Sequence, residues 1–414
     1  MKTTRYKRVY YSQYLVVIIA IVLVAGLALL GYWAMQRVSY EDQFVIPWAA
    51  GRSWLLEGLD PYDPQVVQLA RRTLNTSDFQ GQFPPIAELT EPVLNLVFSL
   101  PLSLLPYEIA RTIWVTLLMV SVGLSGFLLF KISHWKTSLP EKAVVIVLLM
   151  AWLPSLQSVM MGGLAPLMVF LIFYGVYAIL KGKDTLAGFL LALTFGSVPI
   201  TFLILILLIV WSFIKGRWSI LIAYFSGLAF LWVVSLILLP GWPSGWLGMV
   251  LNNYFNLDWV QTPLMAASEL LPGISRFLMI GLHVGAAVFL LVAWIVTLSS
   301  REPVAPWRIL LLLNLAFLFQ PMHPAHQLGF ALPALFLAFR YWSERWGLVG
   351  RGISWLLTLG ILILPWMTAD FPLDFSSRLA FEGLVIWVPI VALAALLSVR
   401  WWALMLPKIA SERS

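Results

Sequence analysis

The chain has 414 residues, of which 61% are hydrophobic and only 11% charged, and it contains no cysteine. A soluble domain carries about 25% charged residues, so the composition marks a polytopic membrane protein, and the missing thiols exclude disulfides, thiolate zinc sites and cysteine nucleophiles. The net charge of +7 would suit a nucleic-acid partner, but its distribution along the chain argues against one.

The first thirteen residues, MKTTRYKRVYYSQ, are basic and lead into a long apolar run at 14–35. A cleaved signal has an apolar stretch of about 7–15 residues and a small-residue exit. This run is longer and has no such exit, so we read it as a retained first span. A helix needs about 20 apolar residues to cross a bilayer. That ruler predicts spans at 14–35, 109–131, 143–158, 164–180, 185–198, 200–214, 218–239, 276–299, 308–320, 326–342, 352–368 and 383–405, twelve in all. The fifth and sixth are short, and they read either as a hairpin broken at Pro199 or as one long helix.

Charge placement bears on that choice. With the N-terminus cytoplasmic and twelve spans, 19 of the 26 basic residues fall in cytoplasmic segments. The other seven are Arg37, Arg52, Arg71, Arg72, Arg111, Arg276 and Arg378. Retention of Lys and Arg in short cytoplasmic loops is the expected bias, and merging the two short spans would invert it. Of the 19 acidic residues, 14 fall outside. The excess positive charge is therefore a topology signal, and both termini are placed in the cytoplasm. No soluble domain, internal repeat or low-complexity segment is visible. We read residues 1–414 as a single membrane domain with long outer loops at 37–108, 240–275 and 368–382.

The first outer loop holds the densest group of acidic residues. The stretch SYEDQFVIPWAAGRSWLLEGLDPYDP, residues 39–64, carries Glu41, Asp42, Glu57, Asp60 and Asp63. Charge beside a membrane span calls for a reason. A helix over 43–57, with Trp54, Leu55 and Leu56, is predicted to lie in the interface, and 66–74 forms a second. Pro61 makes a turn of 58–61. The proline-bounded apolar stretch 91–105 reads as a re-entrant or interfacial piece. Asp42 has two readings: a reactive carboxylate, or a solvated cap meeting the dipole of the helix that follows.

Of the four histidines, His134 falls in a cytoplasmic loop and His283 inside a span. His323 and His326 lie in FLFQPMHPAHQ, where Pro321 and Pro324 break the helix, as is tolerated at membrane depth where backbone lines a cavity. Two histidines three apart could ligate a metal, but no carboxylate or thiol stands near them in sequence, and no metal or other cofactor is expected. Phosphate loops of the G-x-x-x-x-G-K and G-x-G-x-x-G types are absent. Gly162-Gly163 makes a tight outer turn.

The motif D-x₄-P-W-A-A-x₄-L-L-x-G-L-D-P-Y-D-P over 42–64 follows the first span directly. After it come Phe83-Pro84-Pro85, the run Leu100-Pro101-Leu102-Ser103-Leu104-Leu105-Pro106 and a helix start over Ala110 to Trp114. This order resembles glycosyltransferase family 87, polyprenyl-phosphate-mannose-dependent enzymes of the GT-C superfamily. Three later signatures are partly met: a Gly-Gln turn stands as Gly162-Gly163, a Lys-Pro pair as Val198-Pro199, and a proline-histidine segment as 320–326. The resemblance implies an all-α GT-C-type fold and transfer of a hexose from a polyprenyl-phosphate donor to a lipid-linked or glycan acceptor, at the outer face of a bacterial plasma membrane. It implies Asp42 as the catalytic carboxylate. Around it, Glu41, Arg52, Tyr62, Gln320, His323 and His326 are the expected substrate-binding residues.

That chemistry suits the location. An acceptor hydroxyl must lose its proton as it attacks the anomeric carbon, and a placed carboxylate takes it. The departing phosphate needs positive or hydrogen-bonding groups, for which Arg52, Arg71, Arg72, Arg276 and His326 are the outer-face candidates. Three alternatives stand beside this reading: a secondary transporter of twelve spans, an oligosaccharide ligase or other GT-C enzyme, and an inactive relative lacking the family lysine.

Overall fold

A computed structural model of the chain describes residues 2–83, 89, 92–195, 198–254, 276–299, 306–319, 329–368 and 382–403. The architecture is all-α, as an apolar chain requires, because a helix satisfies its own backbone polar groups inside a bilayer. The first helix, α1 (Lys2–Met35), leads into the segment at 37–108. There β1 (Tyr40–Glu41), α2 (Val45–Glu57), α3 (Pro64–Thr76), β2 (Gly81–Gln82), a 3-10 turn (Val93–Asn95) and α4 (Leu96–Ser103) follow in order. Next come α5 (Tyr107–Ser133), α6 (Leu139–Met150), α7 (Leu153–Met161), α8 (Ala165–Leu180), α9 (Asp184–Leu193), α10 (Val198–Ile214), α11 (Trp218–Leu238) and α12 (Trp242–Tyr254). The later helices are α13 (Arg276–Ser299), α14 (Pro306–Phe319), α15 (Leu332–Thr368) and α16 (Glu382–Ala403).

Four of these helices are long and apolar enough to cross a membrane: Ile18–Met35, Tyr107–Ser133, Trp218–Leu238 and the 329–367 stretch. The bent pair α6–α7, 53° at the break, makes a fifth if counted as one span. The protein is thus an all-α membrane protein, with fewer full-length crossing helices among the described residues than the twelve predicted. For some of the helices the difference is one of length. At 1.5 Å per residue, the ten residues of α9 rise about 15 Å, half the hydrocarbon thickness of about 30 Å. The described parts of two predicted spans, 326–342 and 352–368, fall in or just before α15, which breaks at Gly347, whose φ of 55° and ψ of −120° are not helical.

The ambiguous pair at 185–214 forms two helices. Arg217, just after α10, donates Nε–H to Asp184 Oδ2 at 2.9 Å, at the very start of α9, and a second contact joins its Nη2 to Oδ1. The two far ends of the segment therefore meet, which one continuous helix through 185–214 could not allow.

The post of the fold is α5. It packs against α1, α4, α6, α7, α8 and α15. One apolar core gathers the lower halves of the helices around Phe130, Trp135, Trp211 and Phe336. A second surrounds the segment after α1 and the start of α5, with Tyr40, Phe44, Trp48, Trp114 and Met160.

Between α1 and α5 the helices have local causes. Asp63 Oδ1 accepts from Gln65 N at 2.8 Å and Pro64 stands at the first helical position, so α3 starts there. Its Val66, Ala70 and Leu74 recur every four residues and are buried, while Arg71 and Arg72 are exposed, the expected period of an amphipathic helix. Gly58, at φ 68°, ends α2 in the left-handed conformation that glycine adopts freely. The stretch read as 91–105 becomes the 3-10 turn and α4, which packs on α2 and α5.

Candidate active site

The site is built where α1 leaves the bundle. Gln80 N donates to Met35 O at 2.9 Å, and two parallel residue pairs, Tyr40 with Gly81 and Glu41 with Gln82, tie the chain after α1 to the chain after α3. Asp42 N then donates to Gln82 O at 2.9 Å. This short ladder points the next side chain inward, and Asp42 is fully buried.

Both oxygens of that carboxylate are engaged. Oδ1 accepts from Phe44 N at 2.9 Å and Val45 N at 3.0 Å, capping α2. Oδ2 accepts the Tyr107 hydroxyl and lies 3.0 Å from Arg111 Nε. The Nε–H is not aimed along that contact, so it is an ion pair more than a hydrogen bond. Asp42 is therefore a cap, as one of the two readings had it, but a dry one. The solvated form of that reading is corrected, because the cores around α2 and α5 close over the carboxylate.

Arg111 is 0% exposed. Its Nη2 donates to Met160 O, a carbonyl at the end of α7, where the helix dipole is negative. Its guanidinium carbon sits 5.1 Å from the Tyr40 ring and 5.9 Å from the Phe44 ring. Phe44 stacks on Trp114 at 5.2 Å, and Trp48 meets Tyr107 edge-on at 5.4 Å. Trp114 Nε1 donates to Gly162 O at 2.7 Å, and Gln43 N to Met161 O at 2.8 Å. Burial, ahead of the opposing charges of Arg111 and Asp42, pushes the Tyr40 phenol well up, so it stays protonated.

The remaining expected residues are dispersed. Glu41 is half-buried in β1, in register with Gln82. Arg52 lies over the Trp48 ring at 5.4 Å and donates Nη1–H to Ser103 O at 3.2 Å, so it clamps α4 onto α2. Tyr62 is half-buried, its ring set against Gly245 of α12. Arg71 covers Phe83 at 4.7 Å. Gln320, His323 and His326 lie outside the described residues, so the structure does not bring them to Asp42 or separate them from it. Among the described residues no three His, Asp or Glu side chains gather as metal ligands.

The structure adds Tyr40, Tyr107 and Arg111 to the neighbourhood of Asp42, which the sequence reading did not place there. The signal was present. Tyr107, Arg111 and Trp114 recur at helical spacing on one face of α5, and an arginine inside an apolar helix requires a partner. A second feature lies alongside. A small cleft opens between α5, the α6–α7 break, α8 and the start of α15. Val122, Leu129, Trp152 and Phe173 make it mainly apolar, with Ser125, Ser155 and Ser158 as its polar points.

Comparison with known families decides the class. The family-wide profile described as glycosyltransferase family 87 matches residues 90–321, more than half the chain. The chain belongs to that family. It is a membrane glycosyltransferase, which removes the transporter reading. No curated protein matches it. The matched segment includes Tyr107, Arg111, Trp114 and the Gly162-Gly163 turn and begins downstream of Asp42.

Proposed function

We propose that this glycosyltransferase moves a hexose such as mannose from a polyprenyl-phosphate donor to a lipid-linked or cell-envelope acceptor, with inversion, and that Asp42 is the general base. The carrying observation is the carboxylate of Asp42, set at the exit of α1 and held by Tyr107 and Arg111. The acceptor oxygen attacks the anomeric carbon and its proton goes to Asp42. The bond from that carbon to the phosphate oxygen breaks, and the polyprenyl phosphate leaves with the electron pair. Since Oδ2 is occupied by the Tyr107 hydroxyl, the acceptor hydroxyl takes that place on binding, one hydroxyl exchanged for another. The mainly apolar cleft beside α7 suits an isoprenoid chain and supports a lipid-linked donor. No nucleotide-binding motif stands in the sequence, which supports the same choice.

The reading includes a GT-C-type fold of about twelve crossings in one membrane domain over 1–414. Both termini are cytoplasmic, the chemistry sits at the outer face of a plasma membrane, and the surrounding lipids, not nucleic acid, are its other partners. Gln320, His323 and His326, with Arg52, Glu41 and Tyr62, remain the proposed substrate-binding set.

Complete burial of Asp42 favours one competing reading, a structural clasp in a relative without transferase activity. Turnover of polyprenyl-phosphate mannose, normalised to folded protein, separates the two. Asp42→Asn keeps size and capping ability but cannot take a proton, so its rate should fall about 10²–10⁴-fold. Glu41→Gln should cost far less. Near-wild-type turnover by Asp42→Asn, or transfer from a nucleotide sugar without any lipid donor, would sink the proposal.

A further inference from the structure

The turn at Gly162-Gly163 has no part in the reaction as described, yet it touches the site directly. Gly162 ends α7 at φ 75°, a conformation that side chains other than glycine rarely adopt. A Cβ placed there would overlap Arg111 Nη1, and would come within 2.8 Å of the guanidinium carbon. Nη1 itself is buried without a hydrogen-bond partner among the described residues. The bare glycine face is thus the space into which the guanidinium fits. Two bonds fix the turn against the site: Trp114 Nε1 to Gly162 O, and Gln43 N to Met161 O.

We propose that Arg111 and Gly162 are positioning residues for Asp42: the glycine leaves room for the guanidinium, and the guanidinium holds Oδ2 in the orientation the reaction needs. This rests on Asp42 being the base. Arg111 is pinned at three points: Asp42 on one side, the Met160 carbonyl on another, and the face of Gly162 behind. Moving any one of them rotates the planar fork, and Oδ2 moves with it. Displacement of a reacting group by about 1 Å can cost 10²-fold. Neither residue needs to touch the sugar.

The test is steady-state kinetics of the full chain in proteoliposomes with polyprenyl-phosphate mannose. Gly162→Ala should lower kcat by about 10–100-fold and leave the KM for the donor within about twofold. Arg111→Lys, which keeps the charge but removes the fork, should show the same split. In the double variant the shorter ammonium no longer collides with the new methyl, so kcat should be no lower than in Gly162→Ala alone. Gly163→Ala is the control. Its Cβ meets only the end of the flexible Gln43 side chain, and kcat should stay within about twofold of wild type. Thermal midpoints of the same four variants give a readout independent of turnover, and the Gly162 and Arg111 effects should be non-additive. Wild-type kcat in Gly162→Ala and Arg111→Lys, a loss carried by KM, or additive midpoints would each overturn the proposal. An active Asp42→Asn would instead remove the underlying assignment of the base.

Discussion

Asp42 and Arg111 are both sealed from solvent, so each is costly without the other. Removing one partner of a buried pair typically costs about 3–5 kcal/mol because the remaining charge stays unpaired. Asp42→Asn should therefore lower the thermal midpoint as well as the rate. Asp42→Asn combined with Arg111→Met should recover much of the stability and none of the activity, because the orphan charge is gone but no base returns. Recovery of activity in that double variant would show that the carboxylate is not the base. A second residue-scale prediction concerns His134, which ends α5 in a left-handed conformation at φ 53°. Partial burial, then the positive charges of Arg340, Lys181 and Lys131, hold its pKa below the ordinary 6.5. Protonation is thus disfavoured in the folded state. Its contribution to stability is present above the unfolded value and is lost as pH falls through the folded one. His134→Asn tolerates the same backbone and should reduce the loss of thermal stability below about pH 6.5, modestly, since most of the side chain still faces solvent.

At the scale of elements, α9 packs directly against α11. Gly188 makes it possible: a Cβ there would overlap the Ile220 carbonyl oxygen and lie 2.7 Å from Ala223 Cβ. Small residues at a helix contact let backbones approach. Backbone cannot swing aside as a flexible side chain can, so Gly188→Ala should separate the helices and cost about 1–3 kcal/mol as overpacking. Gly26, with nothing within 4 Å of its Cβ position, is the comparator; Gly26→Ala should be neutral or slightly stabilising. Equal thermal midpoints for the two variants would contradict the packing argument. The helices between α1 and α5 are held by a different means. Arg52, Trp48 and the Ser103 and Leu105 carbonyls knit α2 to the end of α4, so the platform under Asp42 depends on hydrogen bonds as well as apolar contact.

For the whole molecule the question is which ends share a side. The Arg217–Asp184 pair joins the start of α9 to the end of α10, and Trp135 Nε1 donates to Ser343 Oγ at 3.2 Å, joining the end of α5 to α15. All four positions fall in or beside the segments predicted to be cytoplasmic. Asp42, Arg111 and Gly162 gather at the other end of α5. Single cysteines introduced into this cysteine-free chain test the orientation. Positions 183 and 217 should label only from the cytoplasmic side, and 60 and 252 only from outside. Labelling of 252 from the cytoplasm would refute the proposed crossing count.

The sequence by itself determined the class. An apolar, charge-poor chain can satisfy its backbone in lipid only as helices, and the acidic and proline-rich pattern after the first span carried the resemblance to a glycosyltransferase family. Local chemistry was also legible where its cause is local, as in Asp63 and Pro64 at the start of α3 or Gly58 at the end of α2. Only the tertiary structure decided what surrounds Asp42. Tyr107, Arg111, Met160 and Gly162 lie 65 to 120 residues away, and their convergence depends on how α5 packs against α7, which neither periodicity nor composition encodes. Solvent exposure followed the same rule. A carboxylate next to a helix start reads as a wet cap until the aromatic residues Tyr40, Phe44 and Trp114 close over it, and that closure belongs to the packed helices together.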